Sequence, residues 1–158
     1  MESETSALQR EIRQNRPFRS PGQEASLAIL HTADVVRRRS AATIERYGVT
    51  LQQYNVLRIL RGAGAPIPTL EIGERMIEQT PGITRLLDRI ESKGLVTRRR
   101  CPDDRRQVLC SITPAGLELL GRIDEVVDES DQDLVGMLRP EEQKELIRLL
   151  AAVRAGNE

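Results

Sequence analysis

The sequence predicts a mainly α fold with one small β-hairpin (α+β). Three observations predict it. Apolar residues recur at three-to-four spacing along most of the 158 residues, the period of amphipathic helices. That period changes only after Gly94, where two short β-prone runs flank a Pro-Asp-Asp turn. The densest set of helix start and stop signals, Thr80 to Gly94, leads directly into that turn region.

Residues 1–23 are polar and rich in Arg, Pro and Ser, with Leu8 and Ile12 the only trace of an amphipathic turn and Phe18 between Pro17 and Pro21. Glu24 to Arg46 reads as a helix through Leu27, Leu30, Ala33, Val36 and Ile44, stopped by Gly48. Its Arg37-Arg38-Arg39 run fits a solvated face, and His31, the one histidine, fits a packed or interface position. Thr50 and Gln53 form a capping box for a helix whose stripe is Leu51, Tyr54, Leu57 and Leu60. GAGAPIP breaks that helix, and a short third one starts at Thr69 with Leu70, Ile72 (or Gly73) and Met76 directed inward.

Thr80 is the expected N-cap of the next helix and Pro81 its first residue, where a missing N–H costs nothing. Ile83, Leu86, Leu87 and Ile90 make its apolar face, and Lys93-Gly94 its end. The outer face carries Gly82, Thr84, Arg85, Asp88 and Arg89, small and partly cationic. Leu95-Val96-Thr97-Arg98 and Val108 to Ile112 then pair as a hairpin around CPDDRR. Thr113-Pro114 caps a long helix through Leu117, Leu120, Ile123 and Val127, and Pro140 opens a last one with Leu146, Leu149, Leu150 and Val153. The end helices must bury these stripes, and pairing with a second copy is the economical way.

The formal net charge is zero, but the distribution is uneven. Residues 80–106 hold 8 basic against 4 acidic groups, whereas 107–158 hold 5 against 11. Local charge decides how a polyanion docks. Two short helices joined by a turn, the second with a polar cationic face and followed at once by a basic hairpin, form a winged helix-turn-helix. Its second helix would enter a major groove, and the hairpin would reach the backbone or the adjacent minor groove. No eighteen-residue apolar run and no signal pattern occur, so a cytoplasmic chain with no membrane association is expected. Two cysteines make no disulfide scaffold, and no nucleophile triad, phosphate loop or metal cluster assembles, so neither an enzyme nor a cofactor is expected.

The run from Tyr47 to Val153 resembles the MarR family of bacterial winged-helix regulators. The matching pieces are Val49 to Leu57, Thr84 to Glu91, Lys93 to Arg98, Asp104-Arg105-Arg106 and Ile112 to Gly116. The resemblance implies a homodimer, built from the first and last two helices, on a pseudo-palindromic operator. It also implies release of the DNA by a small, often aromatic, anion. Ile77-Glu78-Gln79 departs from the family's Gly-containing turn, and the first helix lacks the sensor cysteine of its peroxide-responsive members.

The expected organisation is an N-terminal arm at 1–23 and a first dimerisation helix at 24–47. A winged helix-turn-helix DNA-binding unit at 48–113 and C-terminal dimerisation helices at 114–158 complete it. The expected function is a DNA-binding repressor. Thr80, Gly82, Thr84, Arg85, Asp88 and Arg89 would contact the major groove, and Asp104, Arg105 and Arg106 would serve the wing. Arg105 and Arg106 are expected to leave opposite sides of the hairpin, with Asp104 holding the Arg106 side chain by a charge-assisted bond. His31 is the candidate effector contact. A winged-helix protein-interaction module without DNA binding, and a redox sensor acting through Cys101 and Cys110, are the competing readings.

Overall fold

The computed structural model describes residues 6–157. The first five residues of the expected arm and the last residue of the expected C-terminal region lie outside the described residues. The chain divides into two compact units, residues 1–39 and 40–158.

In the first unit, α1 spans Ala7–Glu11 and is closed by a capping box between Ser6 and Gln9. Gln9 also donates to the Arg16 carbonyl at 3.0 Å. The long helix α2, Pro21–Ile44, begins three residues before the expected start. Pro21, placed in the expected N-terminal arm, opens the helix. The Ser20 hydroxyl accepts the Gln23 N–H at 3.2 Å, and proline suits a first-turn position whose N–H needs no partner.

The second unit starts within the end of α2. A 3-10 turn at Glu45–Tyr47 and a left-handed Gly48 redirect the chain into α3, Leu51–Ala63, with the Thr50–Gln53 box in place. Strand β1, Ile67–Pro68, leads into α4, Thr69–Arg75. Then come α5, Ile83–Ser92, and strands β2, Val96–Arg100, and β3, Val108–Ile112. The sheet is antiparallel in the order β1-β3-β2, with Arg98 opposite Cys110. Strand β1 lies within the segment read only as a helix breaker; two residues are too few to show a period.

The core of this unit joins Val56, Leu57 and Leu60 of α3 to Ile72, Leu87 and Ile90, with Val96 and Cys110 from the sheet. Helix α6, Pro114–Val135, adds Leu120 and Ile123. Leu70 was expected inside but is 74% exposed. At about 100° per residue, Leu70 and Ile72 stand roughly 200° apart on a helix, so only one can face the core. The last helix, α7, Pro140–Ala155, buries none of its residues. Among the described residues, no helix is long and apolar enough to cross a membrane.

Candidate nucleic-acid interface

Helix α5 is two residues shorter at its start than the capping signals predicted. Gly82 adopts a left-handed backbone, φ 83°, and acts as the N-cap without a side-chain bond. Thr80 therefore caps nothing; its hydroxyl donates to the Glu78 carbonyl at 3.1 Å and shapes the turn before the helix. No side chain caps the first-turn N–H groups of α5. The far end closes as a Schellman motif: Gly94 N–H bonds the Glu91 carbonyl and Leu95 N–H the Ile90 carbonyl.

Leu86, Leu87 and Ile90 anchor α5 in the core, which fixes its rotation. Gly82, Thr84, Arg85, Asp88 and Arg89 are consequently exposed together on the outer face, as the periodicity predicted. Lys93 is engaged elsewhere, donating to the Gly48 carbonyl and to Gln53 Oε1, the latter at 3.1 Å. It ties the end of α5 to the start of α3.

The wing tip differs from expectation. The Asp104 carboxylate accepts the backbone N–H of Arg106 at 3.0 Å and the side-chain amide of Gln107 at 3.3 Å. Asp104 therefore builds the turn and does not grip the Arg106 guanidinium. The reason is proximity: a short acidic side chain reaches the backbone two residues on before it can reach a long side-chain end. Arg105 and Arg106 sit in that turn, not on a strand, so strand alternation does not set their directions. Both are exposed.

One arginine counted in the basic cluster is turned inward. The Arg98 guanidinium donates to Glu91 through Nε at 2.9 Å and Nη2 at 2.7 Å, and Nη2 also reaches Asp88. The hydrogen bond to Glu91 is the main reason its pKa is raised further, so it stays charged. Arg85, Arg89, Arg99, Arg100, Arg105 and Arg106 remain: all six are exposed and, among the described residues, none has an acidic partner. Arg99 and Arg100 were not among the sequence candidates, although their membership of the charge cluster was the available signal.

The sensor candidates fare differently. His31 lies in the first unit with its Nε2 3.5 Å from the Glu11 carboxylate. Cys110 is fully buried and burial pushes its thiol pKa up, the opposite of what a reactive thiolate needs. Cys101 lies three positions beyond Arg98, the partner of Cys110, which separates the two by roughly 10 Å along the strands, too far for a bridge. The hairpin therefore supports no redox pair.

A core-anchored helix with an arginine-bearing outer face, followed at once by an arginine-tipped hairpin, defines a winged-helix transcriptional regulator. The chain belongs to the MarR family, which it matches over residues 49–108. It is 38% identical to a MarR transcription factor of known structure from Planctomyces limnophilus, covering 86% of this chain and 99% of that one, with a TM-score of 0.66. It is 28% identical to a cysteine-to-serine variant of MarR from Escherichia coli, solved in complex with operator DNA. That match covers 94% of this chain and 99% of the other, with a TM-score of 0.76. The homoprotocatechuate degradative operon repressor of Escherichia coli is 26% identical over 79% of this chain and 84% of its own length.

Proposed function

We propose that the protein is a cytoplasmic repressor that binds a pseudo-palindromic double-stranded DNA operator as a homodimer. The observation that carries this reading is the set of six exposed arginines without acidic partners on α5 and the wing, in a chain of zero net charge. Cations left in water along one helix and the hairpin that follows it suit a polyanion. Arg85 and Arg89 on the outer face of α5 read base edges; Arg99, Arg100, Arg105 and Arg106 hold phosphates or the minor groove. The uncapped start of α5, at Gly82 and Thr84, suits a backbone phosphate, with Thr80 flanking it. That the Escherichia coli relative was solved in complex with operator DNA supports DNA as the partner.

Exposed apolar surface supports the homodimer. Leu146, Ile147, Leu149 and Val153 on α7 are 39%, 67%, 48% and 47% exposed, and Leu117 of α6 is 45% exposed. Large apolar side chains exposed to this extent along α7 support an interface there. A small aromatic anion is the proposed releasing ligand, in keeping with the name of the homoprotocatechuate operon repressor, with His31 as the candidate contact.

The reading is tested by selecting duplexes from a random library with the wild-type protein, then measuring Arg85→Ala and Arg89→Ala on the selected duplex. Each variant is expected to lose about 1–3 kcal/mol and to relax the preference at one operator position. Selectivity unchanged in both variants would show that another face binds DNA.

A further inference from the structure

Arg98 stands apart from its neighbours. Arg99 and Arg100 project into solvent, while the Arg98 side chain is only 21% exposed. It is held from both ends. Its backbone N–H donates to Glu91 Oε1 at 3.0 Å while its guanidinium takes Glu91 Oε2 at 2.9 and 2.7 Å. One carboxylate thus bonds the main chain and the side chain of the same residue. Asp88, one helical turn before Glu91, accepts from the same Nη2.

The geometry joins the two DNA-facing elements. Asp88 and Glu91 belong to α5, whereas Arg98 is the middle residue of β2, the strand that leads to the wing tip. The covalent link between α5 and β2 is only Lys93-Gly94-Leu95, with Gly94 in a left-handed conformation, φ 72°. That link fixes where the strand leaves the helix. A second attachment farther along is needed to fix the direction in which it leaves, and Arg98 supplies it. A planar guanidinium on two carboxylates holds orientation as well as distance, which a lysine ammonium would not.

We propose that Arg98 is a positioning residue which, through Glu91 and Asp88, sets the angle between the recognition helix and the wing without touching DNA. The proposal rests on the DNA-binding reading above. It also assigns Asp88 to this clamp and removes it from the groups that read bases. Arg98 then acts on binding through the alignment of Arg85 and Arg89 with the wing arginines, and its own charge is spent on α5. Release of Arg98 to a phosphate in the complex is the competing behaviour, and the two differ in salt dependence.

The test uses the full-length protein and the duplex it selects from a random library. Affinity is measured as a function of salt for wild type, Arg98→Ala, Arg98→Lys, Glu91→Gln and the Arg98→Ala/Glu91→Gln pair. Misalignment should weaken binding about tenfold in each single variant, comparable to losing one well-placed base contact. The slope of log affinity against log salt should stay at the wild-type value, because no phosphate contact is lost. The pair should be no weaker than the weaker single variant, since both changes open the same clamp. Arg98→Lys should fail to rescue.

A slope reduced by about one unit in Arg98→Ala would make Arg98 a phosphate contact and overturn the proposal. Tighter binding by Glu91→Gln would do the same, by showing that the acid had been restraining a DNA-seeking cation. Should Arg98→Ala fold poorly, Arg98→Lys and the isosteric Glu91→Gln still decide the matter. Wild-type protein that selects no duplex overturns the DNA-binding reading, and the clamp's role with it; variants binding like a competent wild type overturn the clamp alone.

Discussion

Helices α5 and α7 follow the same amphipathic pattern and end in opposite states. The ten residues of α5 place Leu87 and Ile90 out of water completely and Leu86 almost so. The sixteen residues of α7 bury none. The difference is one of partners, since α5 packs against α3, α4 and β2 of its own chain. A recognition helix must present its outer face at a set rotation, and a filled core provides that. The stripe of α7 stays largely exposed in the single chain, and the proposed homodimer would cover it. On the proposed reading, the DNA-facing surface is complete in one chain, whereas the pairing surface takes two.

The comparison can be broken most severely at Leu87. Leu87→Ala opens a cavity at a fully buried site and should cost about 2–5 kcal/mol, read as a lower urea midpoint. A loss below 1 kcal/mol would mean that α5 is not core-anchored as described. Gly116, where α6 meets the wing unit, is the next test. An added Cβ there would lie 2.5 Å from the Leu95 carbonyl oxygen and 2.7 Å from Ile112 Cγ1. Gly116→Ala should therefore cost about 1–3 kcal/mol through overpacking against backbone, checked by the same titration. The smallest effect on the folded chain belongs to α7. Leu149→Asp should leave the monomer's stability within about 0.5 kcal/mol, because the side chain is already half in water. Its dimer dissociation constant, from sedimentation over a concentration series, should rise at least about tenfold. An unchanged constant would place the pairing surface elsewhere.

Much of the fold was legible because it depends on local signals. The Thr50–Gln53 box, the left-handed glycines 48 and 94, the Thr113-Pro114 start and the 3.6-residue stripes act within a turn or two of chain. The candidate surface was legible for the same reason: the stripe of α5 determines which residues lie opposite it. The errors arose where two local options competed or where the partner was distant. Thr80 was a sound cap by type, yet the left-handed Gly82 delayed the helix and the Thr80 hydroxyl turned to Glu78. Leu70 and Ile72 were both apolar, and only the position of the core decided between them.

The sequence by itself determined the helix pattern, the hairpin, the concentration of positive charge between residues 80 and 106 and the family. Tertiary structure decided how those charges are used. Eight basic groups look alike in a sequence, but folding brings Arg98 against Glu91 and Asp88, and Lys93 against Gly48 and Gln53. Six are left facing outward. The physical reason is that an ionic hydrogen bond acts over about 3 Å, and whether two groups come that close depends on the packing between elements, which no local pattern encodes.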